Sequence, residues 1–182
     1  MKKRIGIYGG SFNPIHLGHV AIGRWMLQQH HLDEVWFMVS PQNPLKGALM
    51  FSEQQRYEMV QKALQDEAGL VAKDYEFSLP RPSYTWNTLK HLRRDYPDVD
   101  FVLIIGGDNW ECFNLWRNWK DILWQHKALV FPRHGEIPVS STQVREKIRE
   151  IFDSEDLSDN DVMTVLGNLV PKEIIPFLTS QV

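Results

Sequence analysis

Apolar residues fall along this chain in short runs that alternate with stretches of helical period. The first run, residues 4–8, ends at Gly9-Gly10, and a helix is predicted from about residue 17 to 30, which makes a first βα unit. Residues 34–40, EVWFMVS, have the β-branched and aromatic character of a strand, and a loop with Pro41, Asn43 and Pro44 follows, carrying Lys46. A second helix is predicted from Ser52, with Gln55 completing a capping box, to about Asp66. A strand is predicted over 70–77, and a Pro-flanked turn, Leu79-Pro80-Arg81-Pro82, leads to a helix over 84–95 that Pro97 stops. Residues 100–105 are apolar from Phe101 onward, as a strand covered on both faces should be. They end in Gly106-Gly107-Asp108. A Trp-rich helical stretch is predicted over 108–125, then a strand over 127–131 and a helix from Ser140, with Gln143 as its capping partner. The tail, 158–179, shows one or two short helices divided at Pro171.

Strands and helices in alternation, joined by short loops, imply an α/β fold with a doubly wound, mostly parallel, Rossmann-like sheet. Ligands of such sheets bind beyond the carboxyl ends of the strands. No repeat, linker or low-complexity segment divides the chain, so the expectation is a single domain over 1–182, its last residues a helical subdomain.

Composition narrows the function classes. At 182 residues with 43% hydrophobic content the chain can bury one sizeable core. A net charge of −3 with interspersed signs offers no basic stripe, so a nucleic-acid partner is not expected. The single cysteine, Cys112, has no disulfide partner and no metal-like spacing, and is expected to be buried and inert. The basic start MKKR is followed by too short an apolar run for a signal peptide, and no segment has the length of a membrane span. A cytoplasmic protein without a membrane partner is expected.

Two segments carry candidate chemistry. In the first, a Gly-rich turn between strand and helix, 9–14, aims unpaired backbone N–H groups at an anion. His16 and His19, at i and i+3, lie on one side of the helix start, where both can donate to phosphate oxygens. They can equally serve as caps. Gly18 allows a base or ribose to approach the backbone. No third ligand stands at metal-like spacing to this pair, and His30-His31 fits a solvated helix end. In the second segment, Val139-Ser140-Ser141-Thr142-Gln143-Val144-Arg145, three hydroxyl residues open a helix and an arginine follows, as a polyphosphate would require and as a plain cap would also allow.

HLGH and VSSTQVR, in this order, resemble the H-x-G-H and I-S-S-T-x-x-R signatures of the nucleotidyltransferase superfamily. Class I aminoacyl-tRNA synthetases share the first signature but are far longer chains with a KMSKS-type loop. GGSFNPIHLGH, SPQNPLK, RPSYTWNTL, IIGGDN and LWRNW are similar to segments of bacterial nicotinate-nucleotide adenylyltransferases, over nearly the whole chain. The resemblance implies adenylyl transfer from ATP to nicotinate mononucleotide in NAD biosynthesis. It assigns ATP to Gly9, Gly10, Ser11, Phe12, His16, Gly18, His19, Lys46, Gly106, Asp108, Ser141, Thr142 and Arg145, with His16, His19 and Arg145 catalytic. It assigns the acceptor to Asn13, Lys46, Tyr84, Thr85, Asp108 and Trp116, the tryptophan stacking on the pyridine ring and the Tyr84-Thr85 amides holding its carboxylate. Mg2+ would arrive with ATP, with no tightly held metal site in the protein. From the residues alone, Trp116 fits a core position, Asp108 the N-cap of the next helix and Thr85 a helix start. Other readings are transfer to nicotinamide mononucleotide or phosphopantetheine, a cytidylyltransferase, or a non-catalytic nucleotide-binding module. A homo-oligomer is compatible with the sequence.

One departure stands out. Between Phe131-Pro132-Arg133 and Val139 the family pattern has a longer segment with a further strand, whereas only 134–138 intervene here. Either the loop is short or residues are absent from the sequence, and a role for Arg133 toward adenine or ribose stays open.

Overall fold

The computed structural model describes residues 2–41, 49–131, 139–154 and 158–180. Lys46, Arg133 and the 134–138 segment lie outside the described residues. Among the described residues five strands, β1 (Lys3–Gly10), β2 (Glu34–Val39), β3 (Leu70–Lys73), β4 (Val99–Gly106) and β5 (Ala128–Phe131), form one sheet in the order β3-β2-β1-β4-β5. Every pairing is parallel. From β1 the chain winds outward through β2 to β3, then crosses to β4 on the other side and continues to β5. The winding therefore reverses between β1 and β4, and their carboxyl ends, Gly9-Gly10 and Gly106, flank the crevice where such sheets take ligands.

Side chains of the central strands alternate between two cores, as the two-residue strand period requires. Tyr8, Val35, Phe37, Val39 and Ile104 face one core with α1 (Leu17–Gln29), α2 (Glu53–Leu64) and α6 (Ser141–Phe152). Ile5, Ile7, Trp36, Met38, Phe101, Leu103 and Ile105 face the other, covered by α3 (Thr85–Asp95) and α5 (Trp119–Gln125). The C-terminal helices α7 (Asp159–Gly167) and α8 (Ile175–Thr179) divide at Pro171 and add Leu166, Val170, Ile174, Ile175 and Leu178 to the first core. A hydrogen bond from Leu17 N to Leu169 O, 3.0 Å, ties that tail to the start of α1. Close packing needs glycine at Gly23 of α1, where a Cβ would stand 2.6 Å from the Phe37 ring.

Three sequence expectations are corrected. The strand predicted over 70–77 ends at Lys73, and Tyr75–Ser78 is a 3-10 turn. That turn carries Glu76 into the interior, where the Thr88 hydroxyl donates to its carboxylate at 2.7 Å. The helix predicted over 108–125 is three pieces, α4 (Gly107–Glu111), a 3-10 turn (Phe113–Leu115) and α5. The break comes at Trp116, extended at φ −73° and ψ 141°, and Asn118, left-handed at φ 58°. An earlier break falls at Cys112, the C-cap of α4, which is exposed rather than buried, while Phe113 turns inward.

Candidate active site

The loop 11–14 leaves β1 at the crevice. Phe12 takes φ 45°, a left-handed backbone unusual for an aromatic residue, and only its surroundings can hold it there. Its ring is 2% exposed and meets Tyr8 edge-on at 5.6 Å and His19 at 5.0 Å. At Gly9 a Cβ would meet nothing within 4 Å, so open space lies over the end of β1. The Ser11 hydroxyl is buried with no hydrogen-bond partner among the described residues, which is costly unless a ligand supplies one.

His16 is the N-cap of α1 and His19 its third residue, and they cap each other. His19 N donates to His16 Nδ1 at 3.3 Å and His16 N donates to His19 Nδ1 at 3.2 Å. The rings stack with centroids 3.6 Å apart. The capping reading and the phosphate reading are thus compatible. An Nδ1 that accepts from the backbone carries no proton, so each ring holds its proton on Nε2, the atom opposite the cap. Burial also lowers the His16 pKa to about 4, which keeps that ring neutral near pH 7. Gly18, between them, is buried in the first turn.

The second signature docks onto the first. Ser140 caps α6 through Gln143 N, while the Ser141 hydroxyl donates to Pro14 O at 3.1 Å. Arg145 Nη1 donates to Asn13 O at 2.8 Å and Nη2 to Thr142 Oγ1 at 3.0 Å. Segments more than a hundred residues apart are thereby joined at one loop. On its other side Phe51 N donates to Asn13 Oδ1, 3.1 Å, and Ser40 N to Gly10 O, 2.9 Å. Arg56, fully buried, donates to the carbonyls of Ser11, Ser40, Pro41 and Phe51.

The remaining predicted residues surround the neighbouring strand ends. Gly106 closes β4 and is the N-cap position of α4, so Asp108 sits exposed in the first turn and not at the cap, correcting the plain reading of that residue. Tyr84 is the N-cap residue of α3 and Thr85 its first residue. The Arg117 guanidinium lies 5.1 Å from the centre of the Tyr84 ring, and Trp116 is half-buried against Phe113, 5.2 Å between ring centres. The Ser83 hydroxyl is buried and, among the described residues, unpartnered, like that of Ser11. Sequence reasoning missed Ser83, Arg56 and Glu76. Arg56 stands three, four and seven residues before Met59, Val60 and Ala63 on the apolar stripe of α2, a local signal that could have found it, whereas nothing local marks Glu76 in an apparent strand.

A parallel sheet with a phosphate-type loop at its switch point, and a hydroxyl-rich helix start clamped to that loop, describe a nucleotidyltransferase. Residues 7–147 match the cytidylyltransferase-like family model. Similar chains include a protein of Bacteroides thetaiotaomicron assigned as a nicotinate-nucleotide adenylyltransferase, 44% identical over 149 residues, 81% of this chain and 73% of that one. A protein of Christiangramia forsetii with the same assignment is 35% identical over 190 aligned positions, covering 93% of this chain and 98% of its own. That alignment is longer than the 182 residues of the chain, which therefore lacks some residues its relative has. The fold also matches the Plasmodium falciparum nicotinic acid mononucleotide adenylyltransferase complexed with NaAD, with a TM-score of 0.70, 19% identity and 96% of both chains covered. The chain belongs to the cytidylyltransferase-like family and, within it, to the nicotinate-nucleotide adenylyltransferases.

Proposed function

We propose that this protein transfers the adenylyl group of ATP to nicotinate mononucleotide, giving nicotinate adenine dinucleotide and pyrophosphate in NAD biosynthesis. The observation that carries the reading is the clamp of Ser141 and Arg145 on the Asn13-Pro14 carbonyls, which sets two phosphate-type segments side by side. A phosphate oxygen of the acceptor attacks the α-phosphorus of ATP in line. The bond from that phosphorus to the bridging oxygen breaks, and pyrophosphate leaves. The attacking phosphate is already ionised near neutral pH, so positioning and charge stabilisation are what the protein contributes.

In this reading the Nε2–H groups of His16 and His19, the Ser11 hydroxyl and the Arg145 guanidinium donate to the polyphosphate, and Ser141, its hydroxyl held by Pro14 O, offers the N-terminus of α6. Gly9, Gly10, Phe12 and Gly18 shape its bed, with Thr142 orienting Arg145. Gly106 and Asp108 meet a ribose, and Lys46 adds a cation. Tyr84, Thr85 and Trp116 hold the pyridine ring and its carboxylate, with Asn13 nearby. Mg2+ bound by the phosphates supplies further charge neutralisation. Among the described residues no group of three or more His, Cys, Asp or Glu stands together, and the donors around the crevice suit an anion that brings its own cation. No described helix is long and apolar enough to cross a membrane, and we place the reaction in the cytoplasm within a single domain.

The test is pyrophosphate release from ATP with nicotinate mononucleotide, nicotinamide mononucleotide, phosphopantetheine or glycerol 3-phosphate. Release is expected with the pyridine nucleotides, fastest with nicotinate. No release with either pyridine nucleotide refutes the proposal. In the same assay His19→Gln, which keeps the capping contact but lacks the imidazole, loses about two orders of magnitude in turnover, the loss typical of an essential charge-stabilising donor.

A further inference from the structure

An arginine and a glutamate outside the predicted site are buried without an ion pair among the described residues, Arg56 at 0% and Glu76 at 8% exposure. Burying such groups is costly, so their arrangement calls for a reason. Glu76 accepts from the Thr88 hydroxyl of α3 and from the Ser40 side chain at the end of β2. The Ser40 carbonyl in turn accepts from Arg56 Nη1 at 2.7 Å, and the same nitrogen reaches Ser11 O at 2.6 Å. Arg56 Nη2 takes Pro41 O at 2.8 Å and its Nε takes Phe51 O at 3.2 Å. A chain of contacts, buried except at half-buried Ser40, therefore runs Thr88, Glu76, Ser40, Arg56, Ser11. One end lies one turn inside α3, whose N-cap and first residue are Tyr84 and Thr85. The other holds the peptide between Ser11 and Phe12. In a trans peptide the C=O and N–H point opposite ways, so drawing the Ser11 carbonyl toward Arg56 turns the Phe12 N–H away from it.

We propose that Thr88, Glu76, Ser40 and Arg56 form a relay that keeps the acceptor end of α3 in register with the donor loop, making Arg56 and Glu76 positioning residues for the transfer step. This rests on the reading above that α3 and the Ser11 loop hold the two substrates. A guanidinium that satisfies four carbonyls at once fixes one loop geometry, which an apolar plug of similar volume would not. A displacement of the two substrates by an ångström is enough to cost turnover while each still binds.

Ser40→Ala cuts the relay at its centre and leaves both charges and the Ser40 carbonyl in place. Glu76→Gln keeps the shape and removes the charge. Each variant and the double variant is assayed for kcat, for the KM of ATP and of nicotinate mononucleotide, and for the thermal midpoint, with kcat counted per folded molecule. Each single change is expected to lower kcat by roughly tenfold or more, with either KM moving less than about threefold. The double variant should be no slower than Glu76→Gln alone, because both changes break one connection. Wild-type kcat in folded single variants, multiplied effects in the double, or a lowered midpoint with unchanged kcat each overturns the proposal. If Glu76→Gln does not fold, Ser40→Ala decides by the same criteria. Wild-type protein that releases no pyrophosphate in this assay refutes the functional reading instead.

Discussion

Acidification should destabilise this protein through His16 in a way a single substitution can isolate. The ring is 6% exposed, its Nδ1 accepts from His19 N, and burial lowers its pKa from 6.5 to about 4. Between those values the unfolded chain binds a proton that the folded protein refuses. Stability therefore rises with pH across this window, and it falls as pH is lowered from about 6.5 toward 4. With these pKa values the His16 contribution lost between pH 7.5 and pH 5 is about 2 kcal/mol, approaching about 3 kcal/mol at pH 4. His16→Asn keeps a side-chain oxygen able to cap α1 and has no proton to gain. Urea unfolding of both proteins at pH 7.5 and pH 5 gives the comparison directly. The wild type should lose about 2 kcal/mol more than the variant over that interval. Equal losses would show that His16 titrates normally in the folded state and that its Nε2–H form is not enforced by burial.

Arg145→Met should lower kcat/KM by about a hundredfold, and Arg145→Lys should fall between it and wild type, because an ammonium keeps the charge but lacks the planar fork whose two nitrogens meet Asn13 O and Thr142 Oγ1 separately; steady-state kinetics of the three proteins checks the order. Trp116→Ala should raise the KM for nicotinate mononucleotide roughly tenfold and leave that for ATP unchanged, measured by varying each substrate in turn. Gly23→Ala should cost about 1–3 kcal/mol in urea unfolding despite the better helix propensity of alanine, since the added Cβ falls 2.6 Å from the Phe37 ring. Chelation by EDTA should abolish pyrophosphate release with no change in thermal midpoint, because the ion enters with ATP; a lowered midpoint would point to a metal that supports the fold.

The sequence by itself determined the alternation of strands and helices, and with it the parallel sheet, because burial on two faces makes an apolar run such as FVLII and a capped amphipathic helix distinguishable over a few residues. It also determined the two signature segments, whose glycines, hydroxyls and histidines are local in sequence. Where the chain departs from a simple period, local signals failed. The 70–77 strand is cut by Glu76 turning inward, and the 108–125 helix breaks at Trp116 and Asn118. Tertiary structure alone decided that Ser141 and Arg145 close on the Asn13-Pro14 loop, that His16 and His19 cap each other in one tautomer, and that Arg56 and Glu76 meet at Ser40. The physical reason is that the partner of a buried polar group is set by which strand ends and helix starts meet at the sheet's switch point. That meeting is a property of the packed chain, written in no single stretch of it.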